Sequence, residues 1–313
     1  MKTENEELGP IPDEWFKPIG NDLTKAEAVS KPSRTFWQDS LHMLIRNKLA
    51  MTGFIFLILL VIMAIVGPMI SPHSIDEQSL IKQNLRPSSE YWFGTDDLGR
   101  DVFSRTWYGA RVSLFVGIMA ALIDFFIGII YGGVAGYKGG RLDNVMMRFV
   151  EVLYGLPYLL IVILLAVVMG PGLTTIIVAL SVTGWIGMAR IVRGQVLQIK
   201  NYEFVLASKI FGTKTSRIIK KNLLPNTMGP IIVQLTLTIP TAIFAEAFLS
   251  FLGLGIQAPH ASWGVMLNDG LPTILSGYWW RLFFPALFIS LTMFAFNVLG
   301  DGLQDAFDPK LRR

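Results

Sequence analysis

Six long apolar blocks constrain the fold of this chain more than any other feature. Of its 313 residues, 52% are hydrophobic and 16% are charged, whereas about one quarter are charged in a typical soluble domain. Each block is long enough to cross about 30 Å of hydrocarbon as a helix that rises about 1.5 Å per residue. The sequence therefore predicts an all-α, polytopic membrane protein. Its six predicted transmembrane helices are 50–70, 112–137, 149–169, 173–189, 228–251 and 282–302.

The segments between and around these blocks are more polar. Residues 1–36 are rich in acidic residues and contain several prolines, which predicts a flexible tail. An amphipathic lead-in segment follows at 37–49, and a basic tail occupies 304–313. Pro157 predicts a kink within the third block. The Gly-Pro-Gly sequence at 170–172 predicts a tight turn that separates the third block from the fourth.

Lysine and arginine are distributed unevenly among the polar segments. With the N-terminus in the cytoplasm, 21 of the 27 Lys and Arg residues lie in cytoplasmic segments, eight of them in the predicted loop 190–226. Because cytoplasmic segments of membrane proteins are enriched in these residues, we expect both termini in the cytoplasm and an extracytoplasmic loop at 71–111. The sequence pI of about 9.2 is therefore a sign of membrane topology, and we expect no nucleic-acid partner.

The stretch 202–226 is basic and amphipathic, and it predicts two short surface helices. The first ends at Gly212, because glycine readily adopts the left-handed conformation that closes many helices. The second covers 214–223, with Thr213 as its N-cap residue and Pro225 as its stop signal. Its apolar and basic side chains fall on opposite faces. On periodicity alone, a helix that lies on anionic lipid is an equally good interpretation.

The same stretch resembles the EAA loop of permease subunits of ATP-binding-cassette importers, which have the type I importer permease fold. The resemblance is carried by Glu203, Phe204-Val205, Ala207-Ser208, Gly212, Ile218 and Leu224-Pro225-Asn226. The usual Glu-Ala-Ala of the family is Leu206-Ala207-Ser208 here, and Asn222 stands where histidine is frequent. In that family the loop docks on the ATPase. The resemblance therefore implies that the ATPase-coupling residues are Tyr202, Glu203, Ala207, Ser208, Lys209, Gly212, Leu224 and Pro225.

A second run of interest lies in the predicted extracytoplasmic loop. Residues 93–101 read Phe-Gly-Thr-Asp-Asp-Leu-Gly-Arg-Asp. The acidic residues suggest a calcium loop, but their spacing does not fit an EF-hand and no bidentate glutamate follows. A turn in which Asp and Arg side chains pair with each other is the favoured interpretation. The run also resembles the first outer loop of one subclass of peptide importer permeases.

Four acidic residues lie within or near the ends of the apolar blocks, namely Asp124, Glu151, Glu246 and Asp301. A carboxylate that faces lipid is costly, so each is expected to face protein, water or an interface. The run 245–255 around Glu246 resembles a feature of the same permease subclass. Glu246 is therefore a candidate residue of the translocation path or gate, with an internal hydrogen bond as the alternative. Glu151 is the second candidate, with pairing to a basic residue as its alternative.

Patterns typical of enzymes and metal sites are missing from the sequence. It has no cysteine and only three scattered histidines, so it offers no thiolate or histidine ligand set. It also lacks the Gly-x4-Gly-Lys-Ser/Thr pattern of a P-loop. We therefore expect a non-catalytic chain with no metal or cofactor of its own.

The resemblance as a whole implies a cell-membrane permease subunit that imports oligopeptides or dipeptides by alternating access. The implied partners are a second permease subunit, two ATP-binding subunits that bind ATP and Mg, and an extracytoplasmic peptide-binding protein. Three other interpretations stay open: an importer permease for nickel or another small solute, a secondary carrier or channel, and a membrane scaffold.

Overall fold

The computed structural model describes residues 36–257 and 260–307, and every regular element within them is helical. The predicted flexible tail, apart from residue 36, and most of the predicted basic tail lie outside these residues. The α-helices are α1 Phe36–Arg46, α2 Lys48–Ile70, α3 Val102–Lys138, α4 Gly140–Tyr154, α5 Tyr158–Met169, α6 Leu173–Thr183, α7 Trp185–Ile199, α8 Glu203–Ile210, α9 Thr215–Ile218, α10 Leu224–Phe251, α11 Trp263–Gly270 and α12 Trp280–Phe307.

Several of these helices, alone or joined end to end, have the length and apolar character of membrane spans. In the described part of the chain, five stretches qualify: α2, α3, α6 with α7, α9 through α10, and α12. A sixth is formed by α4 and α5 if this pair, bent by 78°, is counted as one span. Hydrocarbon offers no hydrogen-bond partners, whereas an α-helix pairs its backbone N–H and C=O groups within itself. The prediction of an all-α, polytopic membrane protein is confirmed.

The second span begins ten residues earlier than the sequence predicts, at Val102 rather than at residue 112. Asp101 is its N-cap residue, and its carboxylate accepts hydrogen bonds from the N–H groups of Phe103 and Ser104. Polar residues continue into the first turns because they find partners there; for example, Arg105 is buried and lies 3.5 Å from an Asp96 carboxylate oxygen. Hydropathy alone misses a helix start that is stabilised in this way.

The third span is not a single straight helix. The sequence predicts a loop at 138–148 and then a helix at 149–169, but α4 already begins at Gly140 and ends at Tyr154. The break before α5 includes Pro157, where the sequence predicts a kink. Because proline lacks a backbone N–H and fixes its φ angle, it often starts a new helix segment in this way.

The helix of the predicted fourth span extends beyond residue 189 into the predicted loop 190–226. The described helix α7 continues to Ile199, so Arg193 lies within a helix. Its guanidinium group forms two hydrogen bonds to the Asp143 carboxylate on α4, at 2.6 and 2.7 Å. Bidentate pairs of this kind are strong. Because Arg193 is paired with Asp143, a basic residue can lie in the part of the helix that continues beyond the apolar block.

Close backbone contact joins α3 to α7. Three glycines spaced four residues apart on α3 face this contact: Gly128, Gly132 and Gly136. A Cβ atom added at Gly132 would overlap the carbonyl oxygen of Ala189, and one at Gly136 would lie 2.9 Å from that of Arg193. Small residues at this spacing allow membrane helices to approach closely. The glycine stripe therefore determines how near α3 and α7 can pack.

Internal contacts order the loop between α2 and α3. Asp96 accepts hydrogen bonds from the N–H groups of Leu98 and Arg100 and from Arg100 Nε, which lies at 2.6 Å. Arg281, at the start of α12, pairs with Asp97 at 3.0 Å. The pairing of Asp with Arg that the sequence favours is therefore present. The described residues contain no group of three or more acidic, His or Cys side chains suited to a metal ion.

Candidate functional site

The short helix α8 lies on the protein surface and is held there by one buried side chain. Val205 is 0% exposed. It belongs to a buried cluster that also contains Val192, Val196, Ile199, Ile218 and Leu223. These residues come from α7, α9 and the turn that follows α9. The burial of Val205 therefore attaches α8 to the end of the fourth span and to the start of the fifth.

A specific hydrogen-bond pattern ends α8. Gly212 has a φ angle of +70°. Its N–H donates to the Lys209 carbonyl oxygen at 3.0 Å, and the N–H of Thr213 donates to the Ser208 carbonyl oxygen at 3.1 Å. These two bonds are those of the Schellman motif. Gly212 therefore ends this helix, as the sequence predicts.

The segment after α8 departs from the sequence prediction at two residues. Lys214, rather than Thr213, occupies the N-cap position of α9, and its side chain makes no capping hydrogen bond. Pro225 does not stop the helix, because α9 continues through a π-helical turn at 219–223 into α10. Pro225 is the second residue of α10, and the π-helical turn rearranges the hydrogen bonds just before this proline, which lacks a backbone N–H.

Two side-chain contacts fix the orientation of α8. Asn222 Nδ2 donates to Ser208 Oγ at 2.9 Å, which ties the π-helical turn to α8. Lys209 Nζ lies 5.2 Å from the centroid of the Tyr137 ring at the end of α3, a cation–π contact. The sequence identifies Asn222 only as a departure from the family pattern. The contact with Ser208 gives it a structural role that sequence reasoning missed.

The predicted coupling residues, together with Ile210 and Phe211, form a mostly exposed surface, here called the coupling surface. Ser208 and Leu224 are half-buried, and the exposed members are Tyr202, Glu203, Ala207, Lys209, Gly212 and Pro225. Sequence reasoning missed the two most exposed apolar side chains of the surface, Ile210 and Phe211, each 85% exposed. Exposed basic residues follow them at Lys214, Arg217, Lys220 and Lys221. A rigid apolar tip beside a basic patch suits binding to another protein.

Glu246 is completely buried at the junction of three helices. Its two carboxylate oxygens accept hydrogen bonds from Ser113 Oγ on α3 at 2.9 Å and from Ser250 Oγ on α10 at 2.8 Å. Ser113 Oγ also accepts a bond from the N–H of Trp263, the first residue of α11. The carboxylate therefore links α3, α10 and α11. These contacts match the alternative interpretation of Glu246, in which it forms an internal hydrogen bond and is not part of a gate.

Glu151 lies in a different environment on α4. Its Oε2 accepts a hydrogen bond from Arg148 Nη1 at 2.9 Å, and both side chains are exposed. A cavity of about 730 Å³ adjoins this pair and is also lined by Arg190 and Arg193 of α7. Glu151 and Glu246 thus have different partners, and their described contacts do not join them in one site.

The chain has the architecture of a polytopic membrane protein, and one short helix, α8, is exposed on its surface. Residues 113–313 match the family described as the binding-protein-dependent transport system inner membrane component. Residues 35–87 match the N-terminal transmembrane domain of oligopeptide transport permease C. Because the first match covers more than half of the chain, the chain belongs to the family of binding-protein-dependent transport system inner membrane components. It is a multi-pass membrane permease component, and the resemblance to importer permeases is confirmed.

Individual relatives are similar along nearly the whole chain. The dipeptide transport system permease protein DppC of Bacillus subtilis (strain 168) is 73% identical over 312 residues, covering 100% of this chain and 98% of the relative. The oligopeptide transport system permease protein OppC of the same organism is 56% identical, covering 97% of this chain and 99% of the relative. OppC of Escherichia coli (strain K12) is 41% identical, covering 92% of this chain and 95% of the relative.

A solved structure of the inward-facing MetNI methionine ABC transporter has a similar fold. It aligns with a TM-score of 0.52 at 21% identity, covering 64% of this chain and 94% of that chain. At this identity the likeness concerns the fold alone. It supports the expected type I importer permease fold.

Proposed function

We propose that this chain is the transmembrane permease subunit of an ATP-driven importer of dipeptides or oligopeptides, and that it works by alternating access. Full-length relatives named as dipeptide and oligopeptide transport permeases support the choice of cargo. The family name supports a separate binding protein as the source of the cargo. The remaining partners are a second permease subunit and two ATP-binding subunits, which bind ATP and Mg and carry out the hydrolysis.

The surface of α8 is the observation that carries this proposal. Ile210 and Phe211 are 85% exposed, although the Schellman motif at Gly212 and the buried Val205 hold their helix in place. An exposed apolar pair on an anchored helix is suited to fill a pocket on a partner, and such anchors dominate many interfaces. The coupling surface lies between α7 and α10 in the chain. It therefore transmits the movement of an ATP-binding subunit to these two helices.

The orientation of the spans supports the same assignment. Most of the Lys and Arg residues, including the exposed basic patch after α8, fall on the side that the charge rule assigns to the cytoplasm. ATP is available on that side. Both termini and the coupling surface are accordingly cytoplasmic, and the loop between α2 and α3 faces outward.

The coupling surface can be tested by replacing its apolar tip. Phe211→Asp is expected to weaken binding of the ATP-binding subunits at least tenfold, because removal of a buried aromatic anchor typically costs about 2 kcal/mol or more. The measurement is co-purification of tagged ATP-binding subunits with the permease pair from solubilised membranes. The matched control is Leu275→Asp, which changes an apolar residue that is 99% exposed outside the coupling surface and is expected to leave co-purification intact.

Two results would contradict the assignment. One is normal co-purification and normal ATP-dependent peptide uptake by the Phe211→Asp complex. The other comes from proteoliposomes that contain the wild-type permease pair, both ATP-binding subunits and the binding protein. We expect peptide uptake that requires internal ATP, and uptake driven by an ion gradient without ATP would favour a secondary carrier.

A further inference from the structure

A polar cavity lies within the membrane-spanning part of the fold, apart from the coupling surface. It measures about 240 Å³ and is bordered by α3, α5, α10 and the junction of α6 with α7. At about 30 Å³ per water molecule, this volume holds several waters or one end of a peptide. The polar residues that line it are Asp124, Tyr158, Thr183, Gln234, Thr238 and Thr241.

Two residues that line this cavity each have a buried polar atom with no hydrogen-bond partner among the described residues. Asp124 is only 4% exposed, and its Oδ1 is buried without a partner. The hydroxyl group of Tyr158 is likewise buried and unpaired. Buried polar groups normally find a partner, and an acidic residue within a membrane span usually serves a function. The two side chains are therefore suited to hold a ligand.

Two threonine hydroxyl groups that line the cavity can act only as acceptors toward a ligand. On α10, the hydroxyl groups of Thr238 and Thr241 donate to the carbonyl oxygens of Gln234 and Thr238, at 2.8 and 2.7 Å. Because a hydroxyl group has one hydrogen to donate, these oxygens retain only acceptor capacity, and Thr238 Oγ1 already accepts one bond from Gln234 Nε2 at 3.4 Å. Asp124 is the one carboxylate in the lining, which contains no Lys, Arg or His. The cavity therefore favours a cation that carries several N–H donors.

We propose that this cavity binds the α-ammonium group of a peptide on its way through the membrane, with Asp124 as the counter-ion. An ammonium group brings one positive charge and three donors, which match one carboxylate surrounded by hydroxyl and amide oxygens. A divalent metal ion fits less well, because the described residues contain no group of three or more metal-binding side chains. The assignment rests on the proposed function and adds to it a cargo site inside the membrane.

The test measures peptide binding directly, without the binding protein, whose own selectivity would otherwise hide the effect. Radiolabelled trialanine and N-acetyl-trialanine are equilibrated with the purified complex of permease pair and ATP-binding subunits. We expect the wild-type complex to bind the free-amine peptide at least tenfold more tightly than the acetylated one. Asp124→Asn is expected to abolish this preference by weakening only the free-amine peptide. Asp301→Asn, which changes an exposed carboxylate on α12, is expected to retain the preference.

A second variant keeps the test informative if Asp124→Asn fails to assemble. Tyr158→Phe removes the unpaired hydroxyl but no charge, and we expect a two- to threefold weaker preference for the free-amine peptide. The inference is overturned if wild type does not discriminate, if neither peptide binds, or if Asp124→Asn weakens both peptides equally. ATP-dependent uptake by wild-type proteoliposomes distinguishes failure of the cavity assignment from failure of the proposed function. Uptake without discrimination between the two peptides in the binding measurement refutes only the cavity assignment. Absence of uptake refutes the proposed function.

Discussion

At the scale of single residues, Glu246 joins elements that are far apart in the sequence. It lies on α10, but its carboxylate accepts a bond from Ser113, which is 133 positions away, and Ser113 in turn accepts the N–H of Trp263. The sequence shows that an acidic residue in an apolar block needs a partner. It does not show which partner, because the two serines resemble many others in the chain. The contacts favour a structural role over a role in the gate.

A substitution at Glu246 distinguishes these two roles. Glu246→Ala is expected to lower the free energy of unfolding by about 3 kcal/mol, because it leaves a small cavity and deprives two buried hydroxyl groups of their acceptor. Glu246→Gln, which keeps an acceptor oxygen and nearly the same shape, is expected to lose much less. Thermal unfolding of the purified complex provides the measurement. A complex with unchanged thermal stability but no peptide uptake would instead favour the gate.

At the scale of helices, hydropathy predicts where the chain crosses the membrane but not where each helix ends. A span must be apolar over most of its length, and this requirement is visible in the sequence. A helix end depends on partners elsewhere in the chain, as Arg193 on α7 depends on Asp143 on α4. Such pairs are invisible to hydropathy, so the helix end at Ile199 is not predicted from the apolar block. The sequence predicts Pro225 as a stop signal, but it lies within α10. The π-helical turn that precedes it is not visible in the composition.

The contact between α3 and α7 can be tested with two adjacent glycines. Gly132→Ala is expected to lower the free energy of unfolding by about 1–3 kcal/mol, because its Cβ atom would press on the backbone of Ala189 and separate the helices. At Gly133 the nearest atom to an added Cβ is Ile219 Cγ2 at 3.6 Å, an ordinary contact. Gly133→Ala is therefore expected to be neutral or to stabilise by up to about 1 kcal/mol. Equal destabilisation by both variants, measured by thermal unfolding, would contradict this account.

At the scale of the whole molecule, one helix connects the coupling surface with the loop before α3. The 37 residues of α3 extend over about 55 Å at about 1.5 Å per residue, which exceeds the full thickness of a bilayer. Its N-terminal residue follows Asp101 of the loop, and Tyr137 near its other end contacts Lys209 of α8. We therefore expect the loop and the coupling surface to lie on opposite sides of the membrane. The assignment of this surface to coupling rests on the family resemblance and not on hydropathy, and it stays a prediction.

This geometry allows the orientation to be tested with two single cysteines, since the native sequence contains none. Ile81→Cys places a thiol at a position that is 95% exposed in the loop before α3, and Lys214→Cys places one in the basic patch after α8. A membrane-impermeant maleimide is expected to label position 81 in intact cells and position 214 only after permeabilisation. Because α3 is expected to cross the bilayer between the two positions, only one of them should react from outside. Labelling of position 214 in intact cells would place α8 away from ATP and would contradict the proposed coupling.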